Sequence, residues 1–563
     1  MQREILLTEL DRYADGGELP SGWRAVTYET ADFSGKMLLS QESEHAAPLT
    51  LQLNAEGWYK IFLGLVPWTG RACLGVTITG EDKKTCVEPE NRIGSWEMYG
   101  WAEEHFFRAA NLTGRNLQIF KPETEGRPCT AALAFVRLVK MTEREIAAYT
   151  GAKNGRAAWH FDNDFLSEDD YHSAKECTGR LRLLENAGGG ILLYETSFDD
   201  CAPPAGDVMP AGLLAHKSVN RRFSDYLARQ GEVKAEMLRD AHGMGLSVYA
   251  ARRMEAGDFF LPYAVPVYNS GIVEKYPAYR CKTRDGREIR ALSYAYSEVR
   301  KMMRDAVIAP LHEGFDGVSL ILHRGVYVAF EQPVLDEVKK RYGVDARRLP
   351  FVDERLHTVL CSFMTQFLRE LRAEMENLYG KGEKKINVIV FYDVESSKNF
   401  GLDVRTWAKE KLVDSVAQGL MTHFENLAGC LGQDGLIDLQ KYSEKNGREP
   451  VLQRYYGDDV ETIVGGAKGF CEVCRASGTE FYGTLGWEST SLQKTAEIAA
   501  ALESAGVEKF ISWNANHKCK KLSLIGMEKR IARGEVPADD AIYRRVLMID
   551  GRDISSFNPN WRG

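Results

Sequence analysis

The sequence contains no apolar run long enough to cross a bilayer, which sets aside a helical membrane protein. It also lacks an excess of basic charge: 72 Lys and Arg stand against 80 Asp and Glu, a net charge of -8. A general binder of nucleic acid or anionic membrane needs the opposite balance, so neither partner is expected. No glycine-rich phosphate turn follows any apolar run, so a nucleotide is not expected either. Cysteines are sparse and scattered, 11 in 563 residues, as for reduced thiols in the cytoplasm rather than a disulfide framework. The start, MQREILLTELDRY, lacks the basic-then-apolar order of an export signal and points to the same compartment. Cys471 and Cys474 form the one CxxC; with no second pair and helical surroundings, neither zinc nor redox use is expected of it.

What is present is a globular composition, 44% hydrophobic and 27% charged, over a length that calls for two or three domains. From Met1 to about Lys140 short segments such as LTLQLN, GWYKIFLGLV, CLGVTIT and AALAFVRLVKM alternate or run apolar between Gly, Asn, Asp and Pro. That pattern predicts a β-sandwich over 1–140. Its many aromatics (Trp58, Tyr59, Trp68, Trp96, Tyr99, Trp101) fit a sandwich core better than a sugar-stacking face. Residues 141–156 read as a short helix and linker.

From Ala157 onward strands and helices alternate. AAWHFDND, GGILLYET, LSVYAARRME, FDGVSLILHRG, INVIVFYDVES, the end of TWAKEKLVDSVAQGL, EFYGTLGWES and KFISWNANH are candidate strands, separated by helical patterns. Strand–helix units in this number predict an α/β fold, a (β/α)8 TIM barrel over 157–563, rather than an open doubly wound sheet. CKTRDGREIRAL, within an insertion, reads as a hairpin turning at Asp285-Gly286.

In such a barrel the groups just past each strand meet at one opening. Here they are acidic or aromatic: Asp162, Asp164, Glu195, Glu255, Glu331, Asp393, Glu395 and Glu488, with Trp159, Trp487 and Trp513. His160, His323, Arg324, Asn514 and His517 join them. Carboxylates beside indoles suit a carbohydrate, whose rings offer apolar faces and hydroxyls. Glycoside hydrolysis needs two carboxyl groups, one an acid and one a base or nucleophile. Glu488, beside Trp487, is expected as nucleophile and Glu331, among Val326, Val328 and Phe330, as acid, with Asp393 in reserve. Asp162, Asp164, Glu195, His323, Arg324, Trp487, Trp513 and Asn514 are expected to bind the sugar. No cofactor is required, although His160, Asp162, Asp164 and Glu195 are also the ligand types of a divalent-metal sugar isomerase or lyase. The sequence leaves open whether the chain forms a homo-oligomer.

The phrases AHGMGLSVYAARRM, SYAYSEVRKMMRDAV, FDGVSLILHRG and GLDVRTWAKEKLVD resemble the barrel proteins known as family-10-like glycosylhydrolases, over roughly Ala157 to Asn516. Relatives have an "AH..G" before the third strand, a "PEVR"-like opening to the next helix, and "DG" at the start of the fourth strand. The resemblance implies a TIM barrel and a carbohydrate-active glycosidase of carbohydrate metabolism. It departs within the fourth strand. Relatives carry acids there, in a phrase like GIELDFMR, where this chain has Ser319 and Ile321. A non-catalytic glycan-binding barrel is the reading that this departure favours.

Overall fold

The structure, a computed structural model, describes residues 4–41, 43–66, 71–82, 84–87, 101–122, 129–150, 156–161, 181, 184, 189–196, 217–254, 272–323, 327–350, 353–419, 459–486, 492–513 and 542–553. Its N-terminal part is built from β1 (Glu4–Leu7), β2 (Arg24–Thr30), β3 (Ser34–Ser40), β4 (Leu49–Leu51), β5 (Trp58–Leu65), β6 (Arg71–Ala72), β7 (Leu74–Ile78), β8 (Thr85–Val87), β9 (Trp101–Asn111), β10 (Leu117–Phe120) and β11 (Cys129–Lys140). A four-stranded sheet, β4-β10-β7-β8, packs on a larger one through Leu49, Leu51, Val76, Ile78, Leu117 and Ile119 against Leu38, Ile61, Leu63, Leu133 and Leu138. Alternating apolar residues supply both inner faces, as two stacked sheets require. The expected helix after this part is Glu143–Thr150.

The barrel strands follow: β12 (Ala157–Phe161), β13 (Gly189–Glu195), β14 (Ser247–Arg253), then a hairpin of β15 (Arg280–Lys282) and β16 (Glu288–Leu292), then β17 (Gly317–Ile321), β18 (Lys385–Val390), β19 (Ser415–Gln418), β20 (Glu480–Thr484) and β21 (Lys509–Ser512). All but the hairpin close into one parallel eight-stranded barrel, each at the segment expected for it. The hairpin turns at Gly286, whose φ of 88° suits glycine. The strands are short and apolar on both faces because helices cover one face and the barrel core fills the other. Ala158, Leu193, Tyr249, Ala251, Ile321, Ile389, Ala417, Tyr482 and Ile511 form that inner core. Trp159, Tyr194, Leu320, Val388 and Val416 form the outer layer against the helices.

The phrases that carry the resemblance are folding devices. In AHGMG, Gly245 takes φ 78° and Leu246 N donates to Ala241 O at 3.0 Å, ending helix Lys217–Gly243 before β14. Asp316 of the DG pair accepts from Val248 N at 2.8 Å, and a Cβ on Gly317 would meet Lys385 O at 2.6 Å, so only glycine lets β17 sit this close to β18. Arg300 donates to Tyr294 O and Ala295 O at 3.0 and 3.3 Å and pairs with Glu370, fixing the helix before β17. Asp403 of GLDVRTW caps helix Val404–Lys409 by accepting from Thr406 N at 3.1 Å, and buried Trp407 donates to Thr365 at 2.9 Å. Ser319 and Ile321 both point into the barrel; the Ser319 hydroxyl donates to Asn387, which donates to Ser415.

The domain boundary at the C-terminal end needs correction. β22 (Ile542–Ile549) and β23 (Arg552–Asp553) do not belong to the barrel. β22 lies in the large N-terminal sheet, antiparallel to β9 through residues 542–545 and to β2 through its second half. Following the pairings from β11 through β3, β2, β22, β9 and β5 returns to β11, so β22 completes a ring. Val26, Tyr28, Met37, Leu39, Ala134 and Phe135 are packed in a cluster of their own, with Ile549 of β22 against it. Among the described residues no helix is long and apolar enough to cross a membrane.

Candidate active site

Strand parity decides which side chains reach the barrel mouth. Successive residues of a strand point to opposite faces. Since Ala158, Leu193, Ala251, Ile321 and Ile511 face inward, so do His160, Glu195, Arg253, His323 and Trp513, each two residues further along. These five are the inward polar or aromatic groups at the carboxyl ends of β12, β13, β14, β17 and β21. By the same parity Trp159 points outward into the helix-covered layer, correcting its expected place at the rim.

The five side chains form one chain of contacts, from Arg253 through Glu195, His160 and Trp513 to His323, and are almost fully buried. Arg253 Nε stands 2.7 Å from Glu195 Oε1, and His160 Nε2 stands 3.5 Å from Glu195 Oε2. The carboxylate thus lies between a guanidinium and an imidazole. The Trp513 ring packs against both histidines, with centroids 4.8 Å from His160 and 4.9 Å from His323. At 3% exposure Trp513 offers no open face for a pyranose, so stacking, its expected use, gives way to its N–H edge. Gly419, just past β19, keeps His323 in place: a Cβ there would lie 2.2 Å from Val390 O and 3.0 Å from His323 Cβ.

Glu331 is placed differently. Its carboxylate has no solvent exposure and accepts from the Ser293 hydroxyl, from Ala329 N at 2.9 Å and from Lys282 N at 3.4 Å. Those partners belong to the 280–292 hairpin, the residue that follows it and the loop before helix Gln332–Tyr342, so the contacts are those of an anchor. Burial pushes the Glu331 carboxyl above its ordinary 4.5, while the hydrogen bonds from Ser293, Ala329 and Lys282 oppose that rise. Asp393 caps helix Val394–Asn399, accepting from Ser396 N at 2.6 Å and Ser396 Oγ at 3.0 Å. Glu395 is exposed and pairs with Arg405 at 3.1 Å. Asp162, Asp164, Glu255, Arg324, Trp487, Glu488, Asn514 and His517 lie outside the described residues.

His160 and Glu195, half of the alternative metal set, do meet. Among the described residues, however, no group of three or more His, Cys, Asp or Glu side chains converges. Cys471 and Cys474 lie buried on helix Val460–Ser477 as part of the outer core, and burial pushes Cys474 up to about 12. Arg253 was not among the residues expected. The signal for it existed: a charged residue at even spacing from inward Ala251 in LSVYAARRME.

No family model matches the chain, and no curated protein matches it in sequence. Among solved structures, the glycoside hydrolase domain of PgaB (BpsB) from Bordetella bronchiseptica is similar at 11% identity and TM-score 0.41, covering 66% of this chain and 98% of that one. The glycoside hydrolase domain of PelA from Pseudomonas aeruginosa aligns at 13% identity and TM-score 0.31, covering 64% and 95%. The catalytic domain of β-amylase from Paenibacillus polymyxa aligns at 11% and 0.38, covering 68% and 99%. These are distant likenesses of chain course, and none carries an activity over to this chain.

Proposed function

We propose that the chain is a carbohydrate-active enzyme that cleaves glycosidic bonds in small glycans or glycosides at the carboxyl face of its barrel. The observation that carries this reading is the meeting of His160, Glu195, Arg253, His323 and Trp513 at that face. Imidazole, indole N–H, guanidinium and carboxylate together form a donor and acceptor set suited to hydroxyl groups. The phrases shared with family-10-like glycosylhydrolases support the same class. In this proposal Glu488 supplies the nucleophile, and Asp162, Asp164, Arg324, Trp487 and Asn514 hold the sugar. Glu331 serves as the acid only once the 280–292 hairpin has moved off it; Asp393 is the reserve.

A second reading is a glycan-binding barrel without turnover. It is favoured by the engagement of Glu195, Glu331 and Asp393, each of which already has partners in the fold. Aryl glycosides and a defined oligosaccharide panel, with product analysis, separate the two. Cleavage that is lost in Glu488→Gln supports hydrolysis, and binding without products supports the second reading. Rearranged sugar, abolished by a chelator, would move the assignment to a metal-dependent isomerase or lyase.

A further inference from the structure

Thr484 at the end of β20, Trp513 after β21 and His160 on β12 belong to neighbouring strands and face into the barrel. Among the described residues each carries a buried polar atom with no hydrogen-bond partner: Thr484 Oγ1, Trp513 Nε1 and His160 Nδ1. Leaving a buried polar group unsatisfied destabilises the fold. Such atoms on successive strands, at the end of a barrel where ligands bind, point to an external partner that completes them. We propose that His160 is the proton acceptor of this site, serving a hydroxyl of the bound sugar or a water, and that Glu195 and Arg253 are its positioning residues. This rests on the carbohydrate reading for the identity of the hydroxyl, and on the geometry alone for the relay.

Arg253 holds Glu195 Oε1 at 2.7 Å and leaves Oε2 facing His160 Nε2 at 3.5 Å, a separation of the kind that tightens when a ligand closes a site. A carboxylate at that nitrogen favours the tautomer with its proton on Nε2, so Nδ1 presents a lone pair. When the hydroxyl O–H bond breaks, its proton passes to Nδ1 and the bonding pair stays on oxygen. The imidazolium so formed faces the Glu195 carboxylate, and the proton returns to a product oxygen or to solvent when the cycle ends. The Trp513 N–H and the Thr484 hydroxyl take neighbouring hydroxyls of the same ligand. Among the described residues, the ionisable groups around His160 are Glu195, Arg253 behind it, and His323 against the same indole.

The test is imidazole 15N NMR of the full chain, labelled at histidine and treated with a chelator. His160 is identified by the signal lost in His160→Asn, or in His160→Gln if the first variant does not fold. The expected signal is a neutral ring protonated on Nε2, and Glu195→Gln abolishes that preference. A ring protonated on Nδ1, a signal indifferent to Glu195→Gln, or one that moves when divalent metal is restored overturns the proposal. On any aryl glycoside that the enzyme cleaves, His160→Asn lowers kcat by about 10²-fold or more. Arg253→Lys lowers kcat with KM nearly constant; unchanged kcat in both variants also overturns it. If no glycoside in the panel is cleaved, the hydrolytic reading fails while the tautomer still decides the role of His160.

Discussion

Arg253 and Glu195 form an ion pair shut away from solvent, with guanidinium Nε 2.7 Å from carboxylate Oε1 and neither side chain more than 2% exposed. Removing one partner of such a pair strands the other charge in a medium that solvates it poorly. Arg253→Met is therefore expected to cost about 3–5 kcal/mol of stability. Urea unfolding at constant m-value measures it, and a loss under about 1 kcal/mol would mean that the pair is solvated after all.

Gly419→Ala tests the packing behind the site without touching a polar group. Its Cβ cannot fit 2.2 Å from Val390 O, so the backbone or His323 must shift. The expected result is a loss of about 1–3 kcal/mol, with a displaced His323 imidazole signal. An unchanged melting temperature and spectrum would show that β19 has slack that the structure does not reveal.

Glu331 links hairpin docking to pH. Its folded pKa is raised above 4.5, so its contribution is fully present below that value and is lost as pH rises through the folded pKa. Glu331→Gln lacks this dependence. The thermal advantage of the wild type over Glu331→Gln should be largest in acid and shrink toward neutrality. A difference that grows with pH would show that the hydrogen bonds from Ser293, Ala329 and Lys282 outweigh burial.

The buried thiols should be inert in the folded chain. Burial lifts Cys361 and Cys474 up to about 12 and Cys281 well above its ordinary value, so little thiolate exists at neutral pH. Iodoacetamide followed by mass mapping should leave all three unmodified until denaturant is added. Rapid native labelling of Cys474 would reopen the CxxC as a functional pair.

Truncation after residue 541 removes β22 and opens the ring of the N-terminal sheet, so that β2 keeps only β3 and β9 keeps only β5 as a neighbour. It also uncovers the cluster around Val26, Tyr28 and Phe135. The N-terminal part should then become sensitive to trypsin while the barrel fragment persists. Equal resistance of both parts would show that β22 is dispensable.

The phrases that carry the resemblance lie at helix ends and caps, where Gly245, Arg300 and Asp403 each solve a local backbone problem. Such solutions are written in adjacent residues, which explains why the barrel and its strands were legible while the chemistry was not. The site depends on facing rather than on presence. Trp159 and His160 are neighbours, yet one supports the helices and the other lines the mouth.

Local sequence alone thus determined the barrel strands, the hairpin at Gly286 and the helices between them, because apolar period and turn residues act over a few positions. Only the tertiary structure decided three things: that Arg253 completes Glu195, that Glu331 turns to its hairpin, and that β22 returns to pair with β2. Thr27 meets Asp550 across 523 positions, and no local pattern encodes a partner so far away. Such contacts are selected when sheet edges and buried charges find groups that satisfy them, which happens only once the chain has folded.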